Sequence, residues 1–424
     1  MALQSLVSET YNSFQRHTAN TQVVLLHPES RLRSMLVAHL LNESPMPVFY
    51  YAMGSDDVNL PAFLDGFSHD MAIQHPTFGR HLYQFWHNAD EDLTPLVDAF
   101  IKDLAELHSD QFMLVLDEFD ASRDADDVQV FWERIVRYLP PNCQLVINSR
   151  TIPRMPWVSL IARQQAVILK DGEAITENFY RTTPENPVAH LDAFGLGPGF
   201  VHKDGEPIDE WEGHLPRLLF FFVLARPLVT RSEICNTFWP NLDSDQAVNV
   251  FHVTKRRLHK ALGFDVLVHH NGYYQINPDA TVNYDIEDFV TALARARQAS
   301  PEDSLSYWQK AADSYRGPFL QGHTEEWVVE QREDFLAGYL EAMTAIAKVR
   351  LDEGRKEQAL ALLLRAANEN DLYEPIHIEI MRLYAHLGRR SEAAGHYQKL
   401  VEMMKEQGLE PSPRTQQIYG EIMS

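Results

Sequence analysis

The sequence is poor in cysteine: Cys143 and Cys235 are its only two, far apart. They offer neither a disulfide framework nor metal-ligand spacing, and a reducing cytoplasm is the expected compartment. No apolar run reaches the ~20 residues that a membrane-spanning helix needs. The start, Met-Ala-Leu-Gln-Ser-Leu-Val-Ser-Glu, lacks the basic and apolar parts of a secretory signal. The 19 histidines are scattered without zinc-site spacing, and no nucleophile triad or paired catalytic carboxylates stand out. No catalytic residues, metal or cofactor are therefore expected. Positive charge is also scarce, with 37 Lys and Arg against 60 Asp and Glu and a net charge of −23. Such a field repels phosphate, which excludes a general nucleic-acid coat.

What is present is an ordinary globular composition, 45% hydrophobic and 23% charged, in a 424-residue chain too long for one core. Three stretches are expected: residues 1–185, 190–283 and 284–424. In the first, short apolar runs alternate with amphipathic helices. Val23–Leu26, Val48–Tyr51, Phe112–Leu116 and Gln144–Ile147 read as strands. Arg31–Leu41, Leu93–Leu107 and Val128–Tyr138 read as helices. Strands that are apolar throughout predict a parallel sheet covered on both faces. A proline-containing linker spans Thr182 to Pro187.

The second stretch starts with strand-like pieces from Phe194 to Val201 and a turn at Lys203–Glu206. Helices follow at Leu215–Leu224 and Arg231–Phe238, the latter opened by the capping box Thr230-Arg231-Ser232-Glu233. The run Phe220-Phe221-Phe222 reads as core beneath the next helix, and Trp239 as the corner filler. Residues 246–262 then form a basic helix. Ala247, Phe251, Thr254, Leu258 and Leu262 share one side; Asn249, His252, Val253, Arg256 and Lys260 share the other. Val266–His270 and Tyr273–Ile276 flank Asn271-Gly272, a strong hairpin signal. Three helices and a hairpin predict a winged helix-turn-helix, whose basic helix suits a major groove. The segment 191–283 is the least acidic, with 8 basic against 11 acidic side chains.

On that reading Asn249, His252, Val253 and Arg256 face base edges, with Arg256 the best candidate for a bidentate guanine contact. Lys255, Arg257 and Lys260 contact phosphates. His269 and His270 reach from the wing toward the adjacent minor groove. The plainer reading makes the helix a solvated surface element and the two histidines exposed hairpin residues.

The third stretch is helical almost throughout and repeats itself. Gly354-Arg355-Lys356-Glu357-Gln358-Ala359 recurs as Gly388-Arg389-Arg390-Ser391-Glu392-Ala393, a period of 34. Glycine in the turn and alanine at a close helix crossing mark tetratricopeptide-like pairs, which stack to leave a concave surface.

Residues 190–420 resemble the Streptomyces antibiotic regulatory protein type of activator. The resemblance lies in Phe194-Gly195 with Asp204-Gly205, Thr230–Trp239, Asn249–Gly263, Tyr315–Leu320 and Gly408–Pro413. It implies a winged helix joined to a bacterial transcriptional activator domain of tetratricopeptide-like helices. It further implies promoter binding on double-stranded DNA, often at direct repeats, and contact with RNA polymerase. The net charge of −23 separately leads to the expectation of a homo-oligomer or tandem binding, since one copy alone should bind weakly.

Residues 20–155 resemble, less closely, the nucleotide-binding module of signal-transduction ATPases with numerous domains. After the strand Val23–Leu26, the run His27-Pro28-Glu29-Ser30-Arg31-Leu32-Arg33-Ser34 stands where a glycine-rich phosphate loop belongs. Ser34 keeps its place, Arg33 replaces the lysine, and the glycines that let backbone N–H groups curl round phosphate are missing. Asp117-Glu118 resembles the acidic end of the metal-binding strand and Arg150 the sensor arginine. The expectation is a degenerate P-loop-like domain that senses or gates without hydrolysis. Two alternatives stand beside the regulator: an ATP-binding switch, and a protein-interaction scaffold that does not bind DNA.

Overall fold

The computed structural model describes residues 2–85, 93–177, 179 and 184–424, with side chains from Val7 onward. Of the expected linker, Thr182 and Thr183 lie outside the described residues. The chain packs as two compact units, Met1–Ala193 with Phe200–Asn283, and Phe194–Gly199 with Tyr284–Ser424.

The first unit opens with α1 (Ala2–Thr18), β1 (Val23–Leu26), α2 (Arg33–Glu43), β2 (Val48–Ala52) and α3 (Leu60–Gln74). It continues through α4 (Thr94–Ala105), β3 (Phe112–Asp117), α5 (Asp126–Arg137), β4 (Cys143–Asn148), α6 (Trp157–Ala162), β5 (Ala166–Lys170) and β6 (Glu173–Ala174). Among the described residues these strands form one sheet in the order β2-β3-β4-β1-β5-β6, parallel except for the final hairpin. Parallel strands buried on both faces need apolar side chains at every position, and β1 is fully buried. On one face Phe14, Leu36, Val37 and Leu40 pack on Val24, Val115 and Val146. Elsewhere in this part, rings of Phe63, Phe67, Phe100, Phe131 and Trp132 meet edge-on or tilted, 5.1–6.3 Å apart. The sequence reading names four strands; the sheet adds β5, which borders β1 on the side away from β4. Helices α1 and α3 also go beyond that reading.

The same unit then builds β7 (His190–Phe194), β8 (Phe200–Lys203), β9 (Glu206–Pro207), α7 (Leu215–Leu224), β10 (Val229–Thr230), α8 (Arg231–Phe238) and α9 (Ser244–Leu262). It closes with β11 (Leu267–His270), β12 (Tyr273–Ile276) and β13 (Thr281–Tyr284). The strands form two sheets: β13-β7-β8-β9, which joins the last strand to the first three, and β10-β12-β11, which joins the short strand between α7 and α8 to the hairpin. Phe220, Phe221 and Phe222 are buried on α7. Trp239 is half-buried at the end of α8, its ring 5.7 Å from Phe238.

The second unit is helical: α10 (Asp285–Gln298), α11 (Pro301–Ser314), α12 (Glu326–Asp352), α13 (Lys356–Glu369), α14 (Glu374–His386), α15 (Arg390–Glu406) and α16 (Pro413–Met423). The 34-residue repeat reads out in hydrogen bonds. Arg355 N–H donates to Arg350 O and Arg389 N–H to Tyr384 O, both at 2.8 Å. Gly354 and Gly388 take φ of +77° and +74°, a left-handed turn that suits glycine. Ala359 and Ala393 are fully buried where the helices cross. Arg389 forks onto Glu357 at 2.6 and 3.2 Å, tying one repeat to the next. Two motif stretches far apart in sequence also meet here. Gly195 and Leu196 donate backbone N–H groups to Asp285 at 2.7 and 3.0 Å. Leu196 bridges Phe319, and the Arg316 guanidinium lies 5.4 Å from the Phe194 ring centre.

Candidate nucleic-acid interface

Helix α9 is fixed at both ends. Asp243 accepts the N–H of Gln246 at 2.9 Å, and Gly263 ends the helix with φ +74°. Its buried residues are Ala247, Phe251, Thr254, Leu258 and Leu262. This stripe leaves Asn249, His252, Val253, Arg256, Arg257 and Lys260 exposed, with Lys255 half-buried. The basic ridge therefore stands in solvent.

The hairpin beside it turns through Asn271 and Gly272 at φ +50° and +89°, the geometry of a tight two-residue turn. His270 pairs with Tyr273, and His269 and His270 are both exposed. Tyr274 joins helix to hairpin. Its buried ring lies 5.0 Å from Phe251 and 4.8 Å from His269, and the Lys255 ammonium sits 5.3 Å from its centre. A groove of about 560 Å³ runs between the two elements, lined by His252, Lys255, Arg256, His259 and His269 among others.

His259 locks this geometry. Its Nε2 accepts the N–H of Leu267 at 3.3 Å and its Nδ1 lies 2.6 Å from Asp265. Burial lowers its pKa below the usual histidine range, against the pull of Asp265. His252 is also lowered, by burial first and then by Lys255, Arg231 and Arg256. The cations differ in their engagements. Lys260 hydrogen-bonds Glu212, and Arg257 Nε lies 3.8 Å from the same carboxylate. No acceptor among the described residues holds the Arg256 guanidinium.

Below this surface the helical elements are anchored to the sheet part of the same unit. The capping box is formed: Thr230 N–H donates to Glu233 Oε2 at 2.7 Å and Glu233 N–H to Thr230 Oγ1 at 3.2 Å. Glu233 also pairs with the buried Arg154, which reaches Asp126 at 2.8 Å. Asp126 accepts in turn from the Thr230 hydroxyl at 2.8 Å. Arg226 pairs with Glu133 at 2.7 Å, and the Tyr273 hydroxyl donates to Asp124.

At the ends of β1, β3 and β4 the residues singled out for nucleotide lie in two groups. Arg33 turns back to the Pro28 carbonyl, and Ser34 is exposed. Asp171 accepts from the Ser30 hydroxyl at 2.9 Å and from the Arg31 N–H at 2.7 Å. A carboxylate of the chain itself therefore takes loop donors of the kind a phosphate would need. Asp117 accepts from Tyr50 at 2.9 Å, Asn148 at 2.7 Å and the Glu118 N–H at 2.8 Å. Glu118, at φ +52°, pairs with Arg150 at 2.7 Å, and Arg150 also holds Asp120 at 2.9 Å. His81, Asp103 and Glu106 converge within 4.8 Å. There Asp103 accepts the N–H groups of His81 and Leu82, and Glu106 pairs with Arg80 at 2.6 Å, so the cluster satisfies itself.

Glu212, Tyr274, His259 and Asp171 went unnoticed in the sequence. Each acts through contacts that the linear order hides. Glu212 lies 48 positions from Lys260, and Asp171 lies 141 from Ser30.

The helical unit has relatives among known families. Residues 284–423 match the bacterial transcriptional activator domain. The C-terminal unit is similar to that domain. The match covers the seven-helix array and its 34-residue repeat, so an all-helical region similar to that domain follows a mixed β/α region in this chain. Among solved structures, Mycobacterium tuberculosis EmbR in complex with low affinity phosphopeptide aligns at 21% identity with a TM-score of 0.45. That alignment covers 55% of this chain and 65% of that one, so the chain spans less than two thirds of that protein's length. No curated protein matches the chain in sequence. No helix among the described residues is long and apolar enough to cross a membrane.

Proposed function

We propose that the protein is a cytoplasmic, sequence-specific DNA-binding transcriptional regulator, an activator rather than an enzyme. Three modules divide the work. Residues 1–185 form a degenerate P-loop-like domain that senses or gates without hydrolysis. Residues 190–283 form a winged helix-turn-helix that reads promoter DNA. Residues 284–424 form the tetratricopeptide-like activator domain that contacts RNA polymerase or a second copy. The observation that carries the reading is α9, a basic face left in solvent by a continuous buried stripe, with an Asn-Gly hairpin beside it. The match of residues 284–423 to a transcriptional activator domain supports the same direction.

In this reading Arg256 meets a guanine edge with Asn249, His252 and Val253 beside it. Lys255 serves the phosphates, joined by Arg257 and Lys260 whenever these leave Glu212, and His269 and His270 serve the neighbouring minor groove. Selection from a pool of random duplexes tests it. The expected result is one enriched sequence, and Arg256→Ala should cost about 1–3 kcal/mol at one base position. A pool that stays random supports instead the protein-interaction scaffold, the reading favoured by the net charge of −23.

The occupied loop at Ser30 and Arg31 sets a second expectation. Calorimetric titration with Mg-ATP should give no saturable heat. Saturable binding that Asp117→Ala removes would restore the ATP-binding switch.

A further inference from the structure

Glu212 lies in the loop between β9 and α7, within the run Asp209-Glu210-Trp211-Glu212. Trp211 pins this loop: its ring is buried and its indole N–H donates to Ile208 O at 2.9 Å. Glu212 adopts φ +48° and Gly213 follows at +109°. A left-handed backbone at a residue with a Cβ costs on the order of 1 kcal/mol and persists only where its surroundings impose it. What the conformation achieves here is reach. Glu212 Oε1 accepts from the Lys260 ammonium, Oε2 lies 3.8 Å from Arg257 Nε, and the Glu212 carbonyl lies 3.5 Å from Arg257 Nη1. One residue thus engages two cations on the solvent side of α9. The hydrogen bond raises the Lys260 ammonium above its usual range and lowers the Glu212 carboxyl below its own. Among the described residues no carboxylate holds Arg256, on the same helix.

We infer that Glu212 is an electrostatic brake on backbone binding: an internal carboxylate that stands where a DNA phosphate would and withholds Lys260 and Arg257 from the duplex. The inference rests on the reading of α9 as the DNA reader. Phosphate contacts position a protein without carrying sequence, and each steepens the fall of log K with log salt by about 0.9. Withholding two of them weakens binding to every duplex alike. Base contacts are left to decide where the protein remains. A chain with so negative a field already discourages random association, and the brake applies the same logic at the reading surface.

The test compares wild-type protein with Glu212→Gln, Glu210→Gln and Lys260→Met, and with the Glu212→Gln, Lys260→Met double variant. Each is titrated with the selected operator and with an unrelated duplex across a salt series. Glu212→Gln should tighten binding to both duplexes several-fold at one salt. Its salt slope should steepen by about 0.9 for each cation released. Glu210→Gln carries the same change in net charge and should do much less. Lys260→Met should cost little alone and should cancel part of the gain in the double variant. The brake is overturned if Glu212→Gln matches Glu210→Gln with an unchanged slope. Arg256→Ala separates this from the underlying reading. If it erases the operator preference while Glu212→Gln changes nothing, the brake alone is wrong. If no variant prefers an operator over random duplex, both fall.

Discussion

His259 shows how a single side chain ties the end of a helix to the hairpin that follows it. Its Nε2 accepts a backbone N–H, so the ring proton sits on Nδ1 toward Asp265 and the imidazole is neutral. Burial lowers its pKa below 6.5, so the unfolded chain takes up this proton more readily than the folded one. The stability it contributes is therefore full above about pH 6.5 and is lost as pH falls through the depressed folded value. An NMR titration should place His259 below 6.5, with exchange of the Leu267 amide accelerating as the ring protonates. A midpoint at or above 6.5 would contradict this. Gly195 offers a second residue-scale test. A Cβ there would lie 2.9 Å from the Phe319 ring, so Gly195→Ala should destabilise the helical unit by about 1–3 kcal/mol in urea unfolding. An unchanged midpoint would show that the ring yields. At this scale the buried stripe of α9 was legible, because a 3.6-residue period is local. The partners of Glu212 were not, because side-chain pairs 48 positions apart leave no period, and those of His259, six and eight positions on, lie past the end of the helix where its period stops.

At the scale of elements, the start of α8 is the joint between the reading surface and the sheet. Glu233 closes the capping box and also pairs with Arg154, which lies buried against Asp126. Removing one partner of such a pair strands a buried charge, so Arg154→Ala should cost about 3–5 kcal/mol. Replacing Arg154 and Glu233 together by methionine should cost far less. Equal losses from the single and the double change would mean that the pair is not the source of the stability. The capping box and the Asn-Gly hairpin were legible because both motifs complete themselves within a few residues. Strand β5 was not, since Ala166-Val167-Ile168-Leu169 is too short for its period to tell a strand from a helix fragment. Helix α3 carries Pro61 and Gly66, which mask its pattern; Pro61 sits in the first turn, where its missing N–H does no harm. The 34-residue repeat was the plainest signal of all, and identical turn hydrogen bonds carry it into the fold.

For the whole molecule, a net charge of −23 sets the terms on which any polyanion approaches. Long-range repulsion should make single-site binding weak, so two copies or tandem sites should be needed for tight binding. Sedimentation or gel-shift titration on one and on two half-sites checks this, and nanomolar binding to one site in physiological salt would refute it. The central claim is that the exposed face of α9 enters the duplex. Cys143 and Cys235 are both buried, so an exposed thiol at Val253→Cys is the preferred labelling site for an iron-chelate cleavage reagent. On the selected operator, the labelled protein should cut within a few base pairs of one position in each half-site. Cleavage spread evenly along the duplex, or none where the protein is bound, would remove α9 from the groove and the account with it.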